Sequence, residues 1–274
     1  MNPAGTQRIL IALAPEAPSE TIFEPVFKIA LRGRTPVECI CIEDSRLLDV
    51  AALPQSRIIH THSHEPSPLD EPMVRRAMRV ASGRARERFE ATITRTSISW
   101  TFRTRQAALL SEAFSDAAAG DLIVVPLLRG ARNQAQLRGL IDAVTGQIAA
   151  SLLVLNETGA PDRSVLAVFD GDRADLAAAR DLAVDFGCPL TVFAVDDDTK
   201  SAQDRAQEVE AFLDEFRQEA SVRTIVLREV EDLNQAILDA APGTLVLDRL
   251  GKTVKNVDIV SLLAQSSGSL LLRN

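Results

Sequence analysis

Tyrosine is absent from this 274-residue chain, tryptophan occurs once, and methionine, histidine and cysteine occur three times each. Cys39, Cys41 and Cys188 are too few for a disulfide framework. Cys39 and Cys41 alternate within one strand-like run and share a face, so they read as reduced, buried thiols, with a soft-metal Cys-x-Cys site as the alternative. Apolar runs such as Leu122 to Leu128 and Leu152 to Leu155 fall far short of the roughly 20 residues of a membrane helix, so no transmembrane segment is expected. The stretch Met1 to Arg8 lacks a basic region leading into an apolar one and a cleavage site, so a cytoplasmic location is expected. A basic surplus is missing too: the net charge of −8 argues against general nucleic-acid binding, which depends on neutralising phosphates.

Apolar residues make up 46% and charged residues 25% of the chain, a balance that buries a core. Charge is divided unevenly. Through Asn156 there are 18 basic and 16 acidic residues, a net +2; from Glu157 onward there are 12 and 22, a net −10.

Runs rich in Val, Ile and Leu alternate with longer helical stretches, which predicts parallel strands covered by helices. The order occurs twice. Strands are expected at Arg8–Ala14, Val37–Glu43, Ser97–Arg103, Leu122–Leu127 and Ser151–Leu155, then at Ser164–Phe169, Leu190–Val195, Val222–Leu227, Thr244–Leu247 and Ser269–Leu272. Between them helices are expected at Thr21–Arg32, Pro72–Ile93, Gln106–Ala118 and Gln134–Gln147, and at Ala174–Phe186, Ala202–Gln218, Asp232–Ala240 and Val257–Gln265. The fold class is therefore α/β: two tandem doubly wound domains, 1–157 and 163–274, each a five-stranded parallel sheet flanked by helices. The turn-forming stretch Glu157–Arg163 separates them. Any ligand is expected at the carboxyl ends of the strands.

From Val165 to Val195 an apolar strand ends in Asp170-Gly171-Asp172, an Ala/Leu-rich helix ends in Gly187, and a second apolar strand follows. This segment resembles the opening of a universal stress protein domain, and the order of elements extends the resemblance over both halves, as a tandem form. The resemblance implies an adenine nucleotide site in which Asp170 and backbone groups at the end of the second strand, at Val195, receive the base and ribose, with Gly171 and Asp172 also nucleotide-binding. It also implies a Gly-x-x-Gly, nine residues, Gly-Ser/Thr motif after the fourth strand, where glycine N–H groups and a helix N-terminus cradle phosphate. Both copies depart from it. The first half has Arg129-Gly130 and Arg138-Gly139 but Leu140 in place of a hydroxyl, and its first strand ends Ala14-Pro15-Glu16. The second has Asp248-Arg249-Leu250-Gly251, with one glycine and no Gly-Ser/Thr.

Two readings stay open. Either Arg129, Arg132 and Arg138, or Arg249, Lys252 and Lys255, replace the glycine amides as phosphate partners, or the loops are vestigial and the charges solvated. Asp170 is the leading ligand candidate, with capping of the next helix as its other role. The resemblance further implies that the halves pair through their last short strands, as family dimers do.

His60-x-His62-x-His64 holds every histidine and would align three rings on one face of an extended chain, as a metal site or as an ordinary polar loop. From Arg75 to Arg105 nine Arg stand against two acids, either a solvated face or a surface for an acidic partner, an anionic lipid surface or the acidic second half of another copy. Asp196-Asp197-Asp198 follows a strand and reads as a turn opening the next helix. No Ser-His-Asp, Cys-His or paired-carboxylate constellation assembles. The expected function is non-enzymatic, in stress response or regulation through contacts with a protein partner or as a homo-oligomer, with a degenerate nucleotide site. The alternative is an ATP or AMP sensor using Asp170 and the Arg/Lys loops.

Overall fold

The computed structural model describes residues 6–13, 23–59, 65–127, 131–156, 160–216, 220–226, 230–248, 251, 257, 259–266 and 268–273. In the first half the order is β1 (Arg8–Leu13), α1 (Glu24–Gly33), β2 (Val37–Asp44), α2 (Arg46–Ala51), β3 (Arg57–Ile59), β4 (Pro66–Pro68), α3 (Glu71–Ile93), β5 (Trp100–Ala107), α4 (Leu110–Ala113), β6 (Asp121–Leu127), α5 (Ala131–Gly146) and β7 (Ser151–Asn156). The second half runs β8 (Val165–Phe169), α6 (Arg173–Phe186), β9 (Leu190–Asp196), α7 (Thr199–Glu215), β10 (Ala220–Val226), α8 (Val230–Ala240), β11 (Thr244–Asp248), α9 (Ile259–Gln265) and β12 (Ser269–Arg273).

Ten strands form one sheet in the order β10-β9-β8-β11-β12-β7-β6-β1-β2-β5. Within this sheet every pairing inside a half is parallel, and the strand order is the same in both halves. The halves meet where β12 runs antiparallel to β7, with Leu270, Leu271 and Leu272 beside Val154, Leu153 and Leu152. The pairing through last strands that the resemblance implied is thus present within one chain.

All five residues of β8, VLAVF, are buried, because helices cover both faces and leave no polar alternation. Successive side chains still diverge: Ile9, Ile11 and Leu13 join one core, Leu10 and Ala12 the other. Each core draws residues from both halves. At about 1.5–3 kcal/mol for each large apolar side chain buried, these two layers hold the halves as one unit. On the first face α1 packs on α6, with ion pairs from Lys28 to Asp162 (3.4 Å) and from Arg32 to Asp185.

Helix ends follow local chemistry. Asp70, Asp172 and Asp198 N-cap α3, α6 and α7, and Gly187 closes α6 in the left-handed region. The Asp196–Asp198 run is accordingly the turn that opens α7.

Three differences from expectation stand out. Strand β5 begins at Trp100 and continues through Ala107, because its ladder with β2 extends to Asp44 beside Ala107. The helix expected over Gln106–Ala118 shrinks to α4, whose first turn is closed by Glu112 accepting from the N–H groups of Ala108 and Leu109. Between β2 and α3 the chain adds α2 and the β3–β4 hairpin, whereas β9 passes to α7 through 197–198 alone.

Candidate functional site

In each half the strand order reverses beside the first strand, and the crevice at the carboxyl ends there is the place for a ligand. In the second half Asp170 follows β8 and meets Gly251, which follows β11. A Cβ on Gly251 would lie 2.6 Å from Asp170 Oδ2, so the glycine leaves room for the carboxylate. Gly171 has φ +127°, a backbone conformation that requires glycine, and the end of the Arg205 side chain lies 2.8 Å from where a Cβ would stand. Asp172 Oδ1 accepts from the Ala174 N–H at 2.9 Å. Val195 is 1% exposed within β9, so its side chain belongs to the core. Arg249, Lys252 and Lys255 lie outside the described residues.

The same crevice holds a charge cluster that sequence reading missed. Arg273, beside Asp248 in the β11–β12 register, donates from Nη2 to Asp172 Oδ2 at 2.6 Å and from Nε to Asp175 Oδ1. Carboxylate oxygens of Asp172, Asp175 and Asp248 lie within 4.8 Å of one another. Burial is the main cause that pushes Asp175 up to about 7; the bond and charge of Arg273 pull the other way, and Asp248 and Asp172 add to the rise. Around the N-terminus of α6, where a helix dipole would welcome phosphate, stand three carboxylates, two of them paired with Arg273. Nothing local marks this cluster in the sequence, since Arg273 is 101 residues from Asp172.

The first half is built differently. Gly139 lies more than two turns inside α5, and open space surrounds the Cβ it lacks, so it makes no close approach at a helix start. The helix begins at Ala131, and Leu140 is fully buried in the core. Arg129 and Gly130 lie outside the described residues, as do Ala14, Pro15 and Glu16; Arg138 is exposed on α5.

Over the strand ends of this half lies a cleft of about 680 Å³, the size of a small-molecule site. Ala12, Ile42, Ala107 and Val125 from the four strands form its floor, and Met73, Val74 and Met78 of α3 with Leu47 of α2 and Ile58 of β3 wall it. Leu47, Arg57, Ile58 and Leu69 of the extra α2, β3 and β4 region therefore build one side of a largely apolar cleft, where β9 passes directly to α7 in the second half.

One polar group breaks the apolar lining. Glu43 is 7% exposed, and its carboxylate accepts from Ser82 Oγ at 2.7 Å and Gln106 Nε2 at 3.4 Å. Its counterpart by register is Asp196: Glu43 stands two residues beyond Cys41, the partner of Leu13, and Asp196 two beyond Ala194, the partner of Phe169. Asp196 is held by Arg205 Nε at 2.6 Å, which keeps it below the usual carboxylate range. Neighbouring Asp44 has its own cation, accepting from Arg46 Nε at 2.8 Å. Repeat alignment is the signal that would have found this site, since it isolates segment 45–70.

The other sequence candidates separate from these sites. His60, His62 and His64 lie outside the described residues. Cys39 and Cys41 are buried free thiols whose pKa values desolvation raises. Part of the arginine run is committed internally: Arg75 pairs with Glu71, Arg103 and Arg105 with Asp116, and Arg86 stacks over Phe102 at 5.9 Å.

A universal stress protein of known structure from Archaeoglobus fulgidus superposes with a TM-score of 0.66 at 10% identity, covering 98% of this chain and 97% of the other. This is the universal stress protein fold. A Pseudomonas aeruginosa structure named for the universal stress proteins gives a TM-score of 0.56 at 12% identity, over 98% and 94% of the two chains. A second P. aeruginosa protein, of unknown function, gives 0.59 at 12% identity, over 100% and 94%. No protein-family model matches the chain, and no curated protein matches it in sequence. The chain shares the universal stress protein fold along its whole length while its strand-end chemistry differs between the halves. Among the described residues no helix is long and apolar enough to cross a membrane.

Proposed function

We propose that the chain is a non-enzymatic tandem module of universal stress protein type, domains 1–157 and 163–274, that regulates by contact with a protein partner and whose nucleotide site is degenerate. The Arg273 cluster carries this reading. A bound triphosphate would set its own negative charge beside Asp172, Asp175 and Asp248, and Arg273 already pairs with two of these carboxylates. Contact with a partner is supported by the inserted segment, where Val50, Leu53 and Ile59 are 46%, 60% and 66% exposed. They fall within ten residues of one another in the chain, on α2, the turn after it and β3.

The sensor reading rests on Asp170 and Gly251, which keep the close approach at the switch point. Acid extraction of the freshly purified chain, followed by chromatography for adenine nucleotides, separates the two. The degenerate site predicts no stoichiometric nucleotide; a near-equimolar yield of ATP or AMP overturns it.

A further inference from the structure

The first-half cleft carries chemistry of its own, beyond the reading above. Among the described residues, eighteen of the 22 that line it are apolar, and the exceptions are Glu43, Asp44, Arg57 and Gln136. Asp44 is neutralised by Arg46. Arg57 is exposed on β3. Glu43 is buried, and among the described residues its hydrogen-bond partners are the neutral side chains of Ser82 and Gln106. On its far side a second hollow is lined by Glu71, Arg75 and Arg79, and Arg75 is taken by Glu71 at 2.6 Å.

A buried carboxylate is costly without a charged partner. The second half supplies that partner at the equivalent position, Arg205 against Asp196. In the first half the corresponding place is occupied by a hydroxyl and an amide at the edge of an apolar cavity. The void thus adjoins a buried acid whose hydrogen-bond partners among the described residues are neutral, with Arg79 lining the hollow on its other side.

We propose that this cleft binds an apolar small molecule carrying one basic nitrogen, with its apolar body between the strand ends and α3 and its nitrogen donating to Glu43. Segment 45–70 supplies the wall that shields the body from water. The charge-assisted hydrogen bond gives orientation, and the apolar lining gives affinity.

The test is calorimetric titration of the full chain with n-decylamine, n-decanoate and 1-decanol, each kept monomeric in solution. The cleft predicts one saturable site for decylamine and binding of decanoate at least about tenfold weaker, as a single hydrogen bond to a charged group implies. Glu43→Gln brings the amine and the alcohol within about threefold of each other. Ala77→Trp, an exposed α3 position lining the cleft, fills it without altering charge and abolishes saturable binding of all three probes. Decanoate binding as tightly as decylamine, amine binding that survives Ala77→Trp, or no saturable binding at all overturns the proposal. The second-half nucleotide site takes no part in these titrations, so failure here and failure of the degenerate-site reading are told apart.

Discussion

Arg273 Nη2 donates to Asp172 Oδ2 across 2.6 Å, which ties the C-terminal strand to the N-cap of the second half's first helix. The same guanidinium serves Asp175, which is 1% exposed. Replacing Arg273 by Met leaves buried acid without its cation and is expected to cost about 3 kcal/mol in urea unfolding. The loss is larger at pH 8 than at pH 5, because Asp175 escapes part of it by taking a proton. Adding Asp175→Asn to Arg273→Met restores part of the stability; a double variant no better than the single one removes this account of the cluster.

The raised Asp175 carboxyl also sets a sign for wild-type stability. Burial lifts its pKa from the usual 3.8 to about 7, so between those values the folded chain holds a proton that the unfolded chain has released. Its contribution therefore falls as pH rises through that window and levels off above 7. Asp116 runs the other way: the bond from Arg105 lowers it to about 2, so its contribution is present above pH 3.8 and is lost as pH falls towards 2. Urea midpoints from pH 4 to 8 compared with Asp175→Asn isolate the first term, and a variant with an unchanged slope contradicts it.

Both cores span both halves, so the chain is expected to unfold in one transition. Trp100, the sole tryptophan, stands in β5 at one edge of the sheet and reports the first half. Its fluorescence and the far-ultraviolet circular dichroism of the whole chain should give coincident urea curves. A tryptophan transition separated from the dichroism curve would mean that the β7–β12 junction does not couple the halves.

Much of this architecture was legible in the sequence. Strands such as Val165–Phe169 announce themselves because a parallel sheet covered on both faces selects an unbroken apolar run, and Asp198 declared a helix start through capping chemistry. Strand β5 was harder: Trp100–Ala107 mixes polar and apolar residues at an edge, and its end is set by pairing with β2, which lies far away in sequence. The site divided in the same way. Asp170 and Gly251 were readable as a strand-end pair, but Arg273 reaches Asp172 over 101 residues and Glu43 meets Ser82 over 39. Such contacts exist only once the sheet order is fixed. The cleft depends on where segment 45–70 folds, and its Pro/Ser-rich composition resembled a plain loop.

On the proposed reading, an internal ion-pair cluster stands in the second-half crevice where a nucleotide would bind. Calorimetric titration of the purified chain with ATP, with and without magnesium, tests it most directly. The account predicts no saturable heat in either condition. Saturable micromolar binding that Asp170→Ala weakens would contradict it and make the chain a nucleotide sensor.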